Sequence, residues 1–168
     1  MGNIVLIGMP GAGKSTVGVV LAKRMGYRFI DSDLVIQEKH GKLLHELIDA
    51  NGIEGFWRIE EEANASLDMD KTVIATGGSA IYGPKAMNHL GSIGTLVYLK
   101  LSFEEIASRL GDLNTRGVTL SPGQDLRCLY EERVPLYEKY AHVTISCDGK
   151  VLRDIVVEIA DQIARKME

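Results

Sequence analysis

Lys14 beside the hydroxyl of Ser15, and two carboxylates one residue apart at Asp31 and Asp33, are the residue types here best placed to do chemistry. The first pair closes the run Gly8-Met9-Pro10-Gly11-Ala12-Gly13-Lys14-Ser15, followed by Thr16. It fits G-x-x-x-x-G-K-[ST], the phosphate-binding loop. Glycines let successive backbone N–H groups turn inward around a polyphosphate, and a helix opening there adds a favourable dipole. Lys14 then supplies a mobile cation for the β- and γ-phosphates, and the Ser15 hydroxyl a ligand for Mg²⁺. The motif is specific for a nucleoside triphosphate such as ATP and silent about the reaction that follows.

The acids stand where a second strand ends, and in an open α/β sheet that end faces the ligand crevice. One can hold Mg²⁺ or its water while the other accepts the proton of an attacking hydroxyl. The same residues also suit the N-cap of the helix that follows. A third strand ends in Thr76-Gly77-Gly78-Ser79. A glycine pair there either lets a ligand lie against bare backbone N–H groups or makes a plain tight turn.

These groups need elements to hold them, and the chain alternates accordingly. Strands are predicted over residues 3–7, 27–30, 72–75, 95–99 and 143–146. Helices are predicted over 14–25, 34–40, 43–51, 53–67, 84–89, from the capping box at Ser102–Glu105 to 110, over 125–140, and at the C-terminal end. Gly41 and Gly52 separate the helices after the second strand. The alternation implies a five-stranded parallel sheet with helices on both faces, an α/β fold of the phosphate-loop NTPase type. One domain over 1–168 is expected, with a helical substrate-binding insertion over about 34–60. Residues 111–124 hold Gly, Asn, Thr, Ser and Pro without apolar periodicity. A loop that long suggests a lid, with Arg116 near its centre.

Composition narrows the partners. Of 168 residues, 45% are hydrophobic and 25% charged, which suits a globular core, and the net charge of −4 disfavours a general nucleic-acid surface. Two cysteines, Cys128 and Cys147, suggest a reducing compartment over a disulfide framework. No apolar run reaches the length of a membrane span. The expectation is a cytoplasmic monomer acting on a small molecule, with neither nucleic acid nor membrane as partner.

Over nearly its whole length the chain resembles the shikimate kinase family, phosphate-loop enzymes of the nucleoside-monophosphate-kinase type. The matching pieces are residues 8–16, Asp31-Ser32-Asp33, the segment 54–61 that contains Arg58, Ala75-Thr76-Gly77-Gly78, Arg109 to Arg116, and Glu132-Arg133-Val134-Pro135-Leu136-Tyr137. The resemblance implies transfer of a phosphoryl group from ATP, with Mg²⁺, to the 3-hydroxyl of shikimate. It implies Arg58 and Arg133 as guanidinium forks for the acceptor carboxylate. It also implies Asp33 on the acceptor hydroxyls as base or orienter, and Gly77 and Gly78 beside the acceptor. Asp31 would lie near Mg²⁺ through water, with Lys14 and the lid arginine, Arg116, on the phosphates. Arg109 would pack on the adenine, bordered by the loop 146–150. Two positions depart from the family pattern: Ser79 replaces a third glycine, and Gly117-Val118-Thr119 replaces Pro-Leu-Leu. Another small acceptor, a gluconate-like acid or a nucleoside monophosphate, and a nucleotide-binding module without turnover are the alternatives. Only 6% of residues are aromatic, which disfavours stacking of an acceptor base.

Overall fold

The computed structural model describes residues 2–111 and 120–166. Arg116, Gly117 and most of the expected lid over 111–124 therefore lie outside the described residues. Five strands, β1 (Asn3–Ile7), β2 (Arg28–Asp31), β3 (Thr72–Ala75), β4 (Gly94–Lys100) and β5 (Val143–Ser146), form one sheet in the order β2-β3-β1-β4-β5. All four pairings are parallel, with Leu6 level with Ala75 and Val97, and Asp31 also level with Ala75. Every residue of β1 is buried, as a central strand covered on both faces requires.

The connections from β1 to β2 and from β3 to β4 leave in opposite directions along the sheet. The crevice that opens beside β1 is the place where such sheets bind ligands. Helices α1 (Lys14–Met25) and α7 (Leu152–Lys166) pack together on one face, and α4 (Pro84–Ile93) and α6 (Leu126–Tyr140) cover the other. A short helix α5 (Phe103–Leu110) precedes the undescribed segment; its N-cap Ser102 accepts from the Glu105 N–H at 3.3 Å. Beyond β2 lie α2 (Ser32–His40) and α3 (Leu44–Ala65), around a second apolar cluster of Ile36, Leu47, Phe56 and Ala63. Gly52, at φ 70° and ψ 175°, breaks α3 where two helices were expected to meet.

Several predicted boundaries move, most by one or two residues, and three of them have a visible cause. The second strand begins at Arg28, one residue late, because the Tyr27 N–H donates to Ala22 O and so belongs to the end of α1. The next helix begins at Ser32, not residue 34, because Asp31 caps it by accepting from the Asp33 N–H at 3.0 Å. The helix expected to stop at residue 89 continues to Ile93, since Leu90 is fully buried and anchors a further turn. A single 3₁₀ turn at Ala80–Tyr82, not anticipated, follows the glycine pair.

Candidate active site

The loop between β1 and α1 is shaped by its own backbone. Gly8 (φ 151°) comes so close to the next strand that a Cβ there would stand 2.9 Å from Leu99 O, while Gly11 (φ 78°) and Gly13 (φ 89°) take conformations disfavoured for other residues. Lys14 folds back across this loop, donating to Gly8 O at 2.7 Å and Met9 O at 2.8 Å. Burial lowers its pKa to about 8, against the opposing pull of Asp33. The Ser15 hydroxyl donates to Asp31 Oδ2 at 2.6 Å, joining the start of α1 to the end of β2. Asp31 thus caps α2 with one oxygen, as the sequence allowed, and engages Ser15 with the other.

A cavity of about 300 Å³ opens beside this loop. Gly11, Gly13, Lys14, Ser15 and Thr16 form one wall, and Asp33, Phe56, Glu60 and the turn from Thr76 to Ser79 form the other. Three ends of parallel strands therefore meet there: the loop after β1, the cap after β2 and the glycine turn after β3. Burial and the neighbouring Asp31 charge raise the Asp33 pKa to about 6, although Lys14 opposes the shift. Its carboxylate is thereby a stronger base than an exposed aspartate.

Gly77 stands where two acids converge. A Cβ there would lie 2.5 Å from Glu60 Oε2 and 2.9 Å from Asp33 Oδ1, so a side chain at this position would have to displace both carboxylates. Gly78 is as tightly bounded: its Cβ would meet the Pro10 ring at 2.7 Å and an Arg133 guanidinium nitrogen at 3.0 Å. Its carbonyl accepts the Tyr137 hydroxyl at 2.5 Å. Tyr137 stacks on Tyr98, whose ring lies against the start of the phosphate loop at Gly8.

The two arginines read as a pair part company. Arg133 is 1% exposed and donates through Nε to the Tyr82 hydroxyl at 3.3 Å. Tyr82 in turn donates to Glu132 and stacks on Trp57, with ring centroids 4.2 Å apart. Arg58 is exposed and lines a separate hollow with Trp57 and Pro122. Helix geometry explains this: Phe56 and Glu60 share the buried stripe of α3, and residue 58 sits ~200° around the helix from Phe56. Arg109 reaches the outer edge of the phosphate loop, donating to Gly11 O at 3.4 Å and pairing with Glu105 at 2.9 Å.

Glu60 was not picked out from the sequence, although it is 2% exposed and lines the cavity. The signal was available: Phe56, Glu60 and Ala63 fall on one helical stripe, where a carboxylate among apolar neighbours is out of place. Burial raises its pKa to about 7, against the Ser79 hydroxyl, which donates to Oε1 at 2.6 Å and favours the ionised form. No cluster of three or more His, Cys, Asp or Glu suited to a metal occurs among the described residues. Mg²⁺ needs none, since it keeps several waters and takes its remaining oxygens from phosphates. The adjacent oxygens of Ser15 and Asp31 are hard donors of the type it accepts.

Known proteins are similar to this chain in sequence and in fold. The family model described as shikimate kinase matches residues 10–164. A shikimate kinase of Paracidovorax citrulli is 41% identical over 167 residues, covering 96% of this chain and 91% of that protein. The solved structure of shikimate kinase from Acinetobacter baumannii in complex with shikimate superposes with a TM-score of 0.88 at 34% identity, covering 99% of this chain and 94% of that one. Shikimate kinase from Aquifex aeolicus gives 0.86 at 30% identity, covering 98% of each.

Proposed function

The chain belongs to the shikimate kinase family, and on that footing we propose how its own residues divide the work. The enzyme transfers a phosphoryl group from ATP to the 3-hydroxyl of shikimate, forming shikimate 3-phosphate. The observation that carries the assignment of roles is the single cavity shared by the phosphate loop and the Asp33–Glu60–Gly78 wall.

In this reading the backbone N–H groups of Gly11, Ala12 and Gly13 and the Lys14 ammonium hold the polyphosphate, with Thr16 and Arg109 at its margins. Ser15 and, through water, Asp31 would hold Mg²⁺, which when bound neutralises phosphate charge. On the other wall Gly77 and Gly78 bound the acceptor, and Arg133 receives its carboxylate. Asp33 orients the attacking hydroxyl and takes its proton as the new O–P bond forms and the bond from phosphorus to the ADP oxygen breaks in line. Arg116 serves as the lid cation over the transferring group, the closing loop 111–124 keeping water from it. Arg58 comes second to Arg133 for the carboxylate, because it is exposed, whereas an Arg133 guanidinium nitrogen lies directly behind Gly78 of the cavity wall, 3.0 Å from where a Cβ would stand. We read residues 1–168 as one kinase domain acting as a cytoplasmic monomer, with the substrate-binding insertion over 34–60. No helix among the described residues is long and apolar enough to cross a membrane.

Release of ADP from Mg-ATP, measured against shikimate, gluconate, CMP and AMP, tests the reading. Turnover is expected with shikimate. Turnover only with another acceptor, or ATP binding without turnover on any, overturns it.

A further inference from the structure

Ser79 stands in the glycine turn where the family pattern has a third glycine, and its side chain is not idle. It is 6% exposed, lines the cavity and donates to Glu60 Oε1 at 2.6 Å. The other oxygen, Oε2, is thereby turned to Gly77, on the same side as Asp33 Oδ1. We propose that Ser79 is a positioning residue: it fixes the Glu60 carboxylate so that Oε2 can accept a hydrogen bond from a hydroxyl of the acceptor. The proposal deepens the acceptor assignment above and rests on it.

The surroundings make such a tether consequential. Glu60 comes from α3, and the charged groups facing it are Asp33 of α2, Lys14 of α1 and Arg133 of α6. Asp33 disfavours its ionisation while Arg133 and Lys14 favour it. A buried carboxylate among unlike and like charges has competing orientations, toward the cations or toward the cavity. A hydroxyl bound to one oxygen selects between them and supplies a charge-assisted hydrogen bond that a third glycine lacks. Ser79 therefore acts through Glu60 and need not touch the acceptor.

The test is a double-mutant cycle on the full chain with Ser79→Ala, Glu60→Met, which keeps the length but has no acceptor for the serine, and the double variant, each checked for a cooperative melt. Ser79→Ala should raise KM for shikimate by ~3- to 10-fold, the cost of losing one hydrogen bond, with kcat and KM for ATP changing less. In the Glu60→Met background the same change should add less than ~2-fold. Equal effects in both backgrounds would mean that Ser79 acts independently of Glu60 and would overturn the proposal. A second readout needs no turnover: the Glu60 carboxyl, followed by carbon NMR, should titrate at higher pH in Ser79→Ala. An unmoved titration overturns the tether even if shikimate is a sound substrate. Wild-type protein inert toward shikimate but showing the NMR shift would instead sink the acceptor assignment and keep the tether.

Discussion

The two walls of the cavity are made in different ways. The nucleotide wall is one contiguous stretch, residues 8–16, in which backbone N–H groups and glycine conformations set the shape and Lys14 is tied to carbonyls five and six residues back. The wall proposed for the acceptor is assembled from α2, α3 and the turn after β3, with α6 behind it, and it is braced by side chains: Ser79 on Glu60, Arg133 on Tyr82, and the Tyr137 hydroxyl on the Gly78 carbonyl. A backbone cradle suits a ligand part common to many reactions. A wall of buried, mutually braced side chains can be retuned one residue at a time, so specificity should reside there. Each wall has its own mode of failure.

Removing the cradle's cation should do the greatest damage. Lys14→Met is expected to lower kcat by at least ~10²-fold, as for other preorganised charge-stabilising donors, and to weaken ATP as well as turnover. Asp33→Asn should also cost at least ~10²-fold in kcat, the low end for a positioned base, yet leave ATP affinity nearly intact if the residue faces the acceptor as proposed. Steady-state kinetics with nucleotide binding measured separately checks both. If Asp33→Asn weakens ATP as much as Lys14→Met does, the two walls are not separable. Arg133→Lys, which loses the planar fork, should raise KM for shikimate by roughly 10- to 100-fold. Arg58→Lys, on the exposed side of α3, should change it by less than ~3-fold. The reverse order would place the carboxylate in the hollow beside Pro122.

The unequal construction also explains what could be read without coordinates. A motif that works through contiguous backbone appears whole in the sequence, so the cradle and the strand before it were placed to the residue. The parallel sheet followed from alternation, and the capping potential of Asp31 was visible because caps are local. The acceptor wall depends on which residues meet across 19 positions, as Ser79 meets Glu60, or 59, as Tyr137 meets Gly78. Such contacts leave no spacing to recognise. Arg58 shows the limit: its type and neighbourhood suit a carboxylate fork, and only the structure shows that it is exposed, away from the stripe of Phe56 and Glu60. Ser79 was noticed only as a departure, because its partner is a buried side chain two elements earlier.

A smaller effect can report which wall a ligand touches. Trp57 is the sole tryptophan and stacks on Tyr82, which engages Arg133. Shikimate should therefore change the intrinsic fluorescence by altering the Trp57–Tyr82 stack, and ATP alone should change it less. A larger response to ATP would mean that the braced wall moves with the cradle and would erase the distinction between them.

The acceptor wall should also cost the fold something that the cradle does not, and Glu60→Gln isolates that cost. Glu60 in the folded protein titrates near pH 7, raised chiefly by burial from about 4.5. The folded state then holds its proton more tightly than the unfolded chain does. Stability must fall as pH rises from about 4.5 through about 7, since over that window the native state binds more protons at this site, and the loss is complete above it. Glutamine has no charge to bury, so the variant escapes this slope. Thermal melts of both proteins at pH 5 and pH 8 should show Glu60→Gln gaining on wild type by a few degrees at the higher pH. Asp33 titrates in the same direction in both proteins and largely cancels in the difference. A gap independent of pH would mean that Glu60 keeps one charge state throughout. A gap that closes toward pH 8 would mean that its pairing with Arg133 and Lys14 outweighs its burial, so that the carboxylate stabilises the fold in its ionised form.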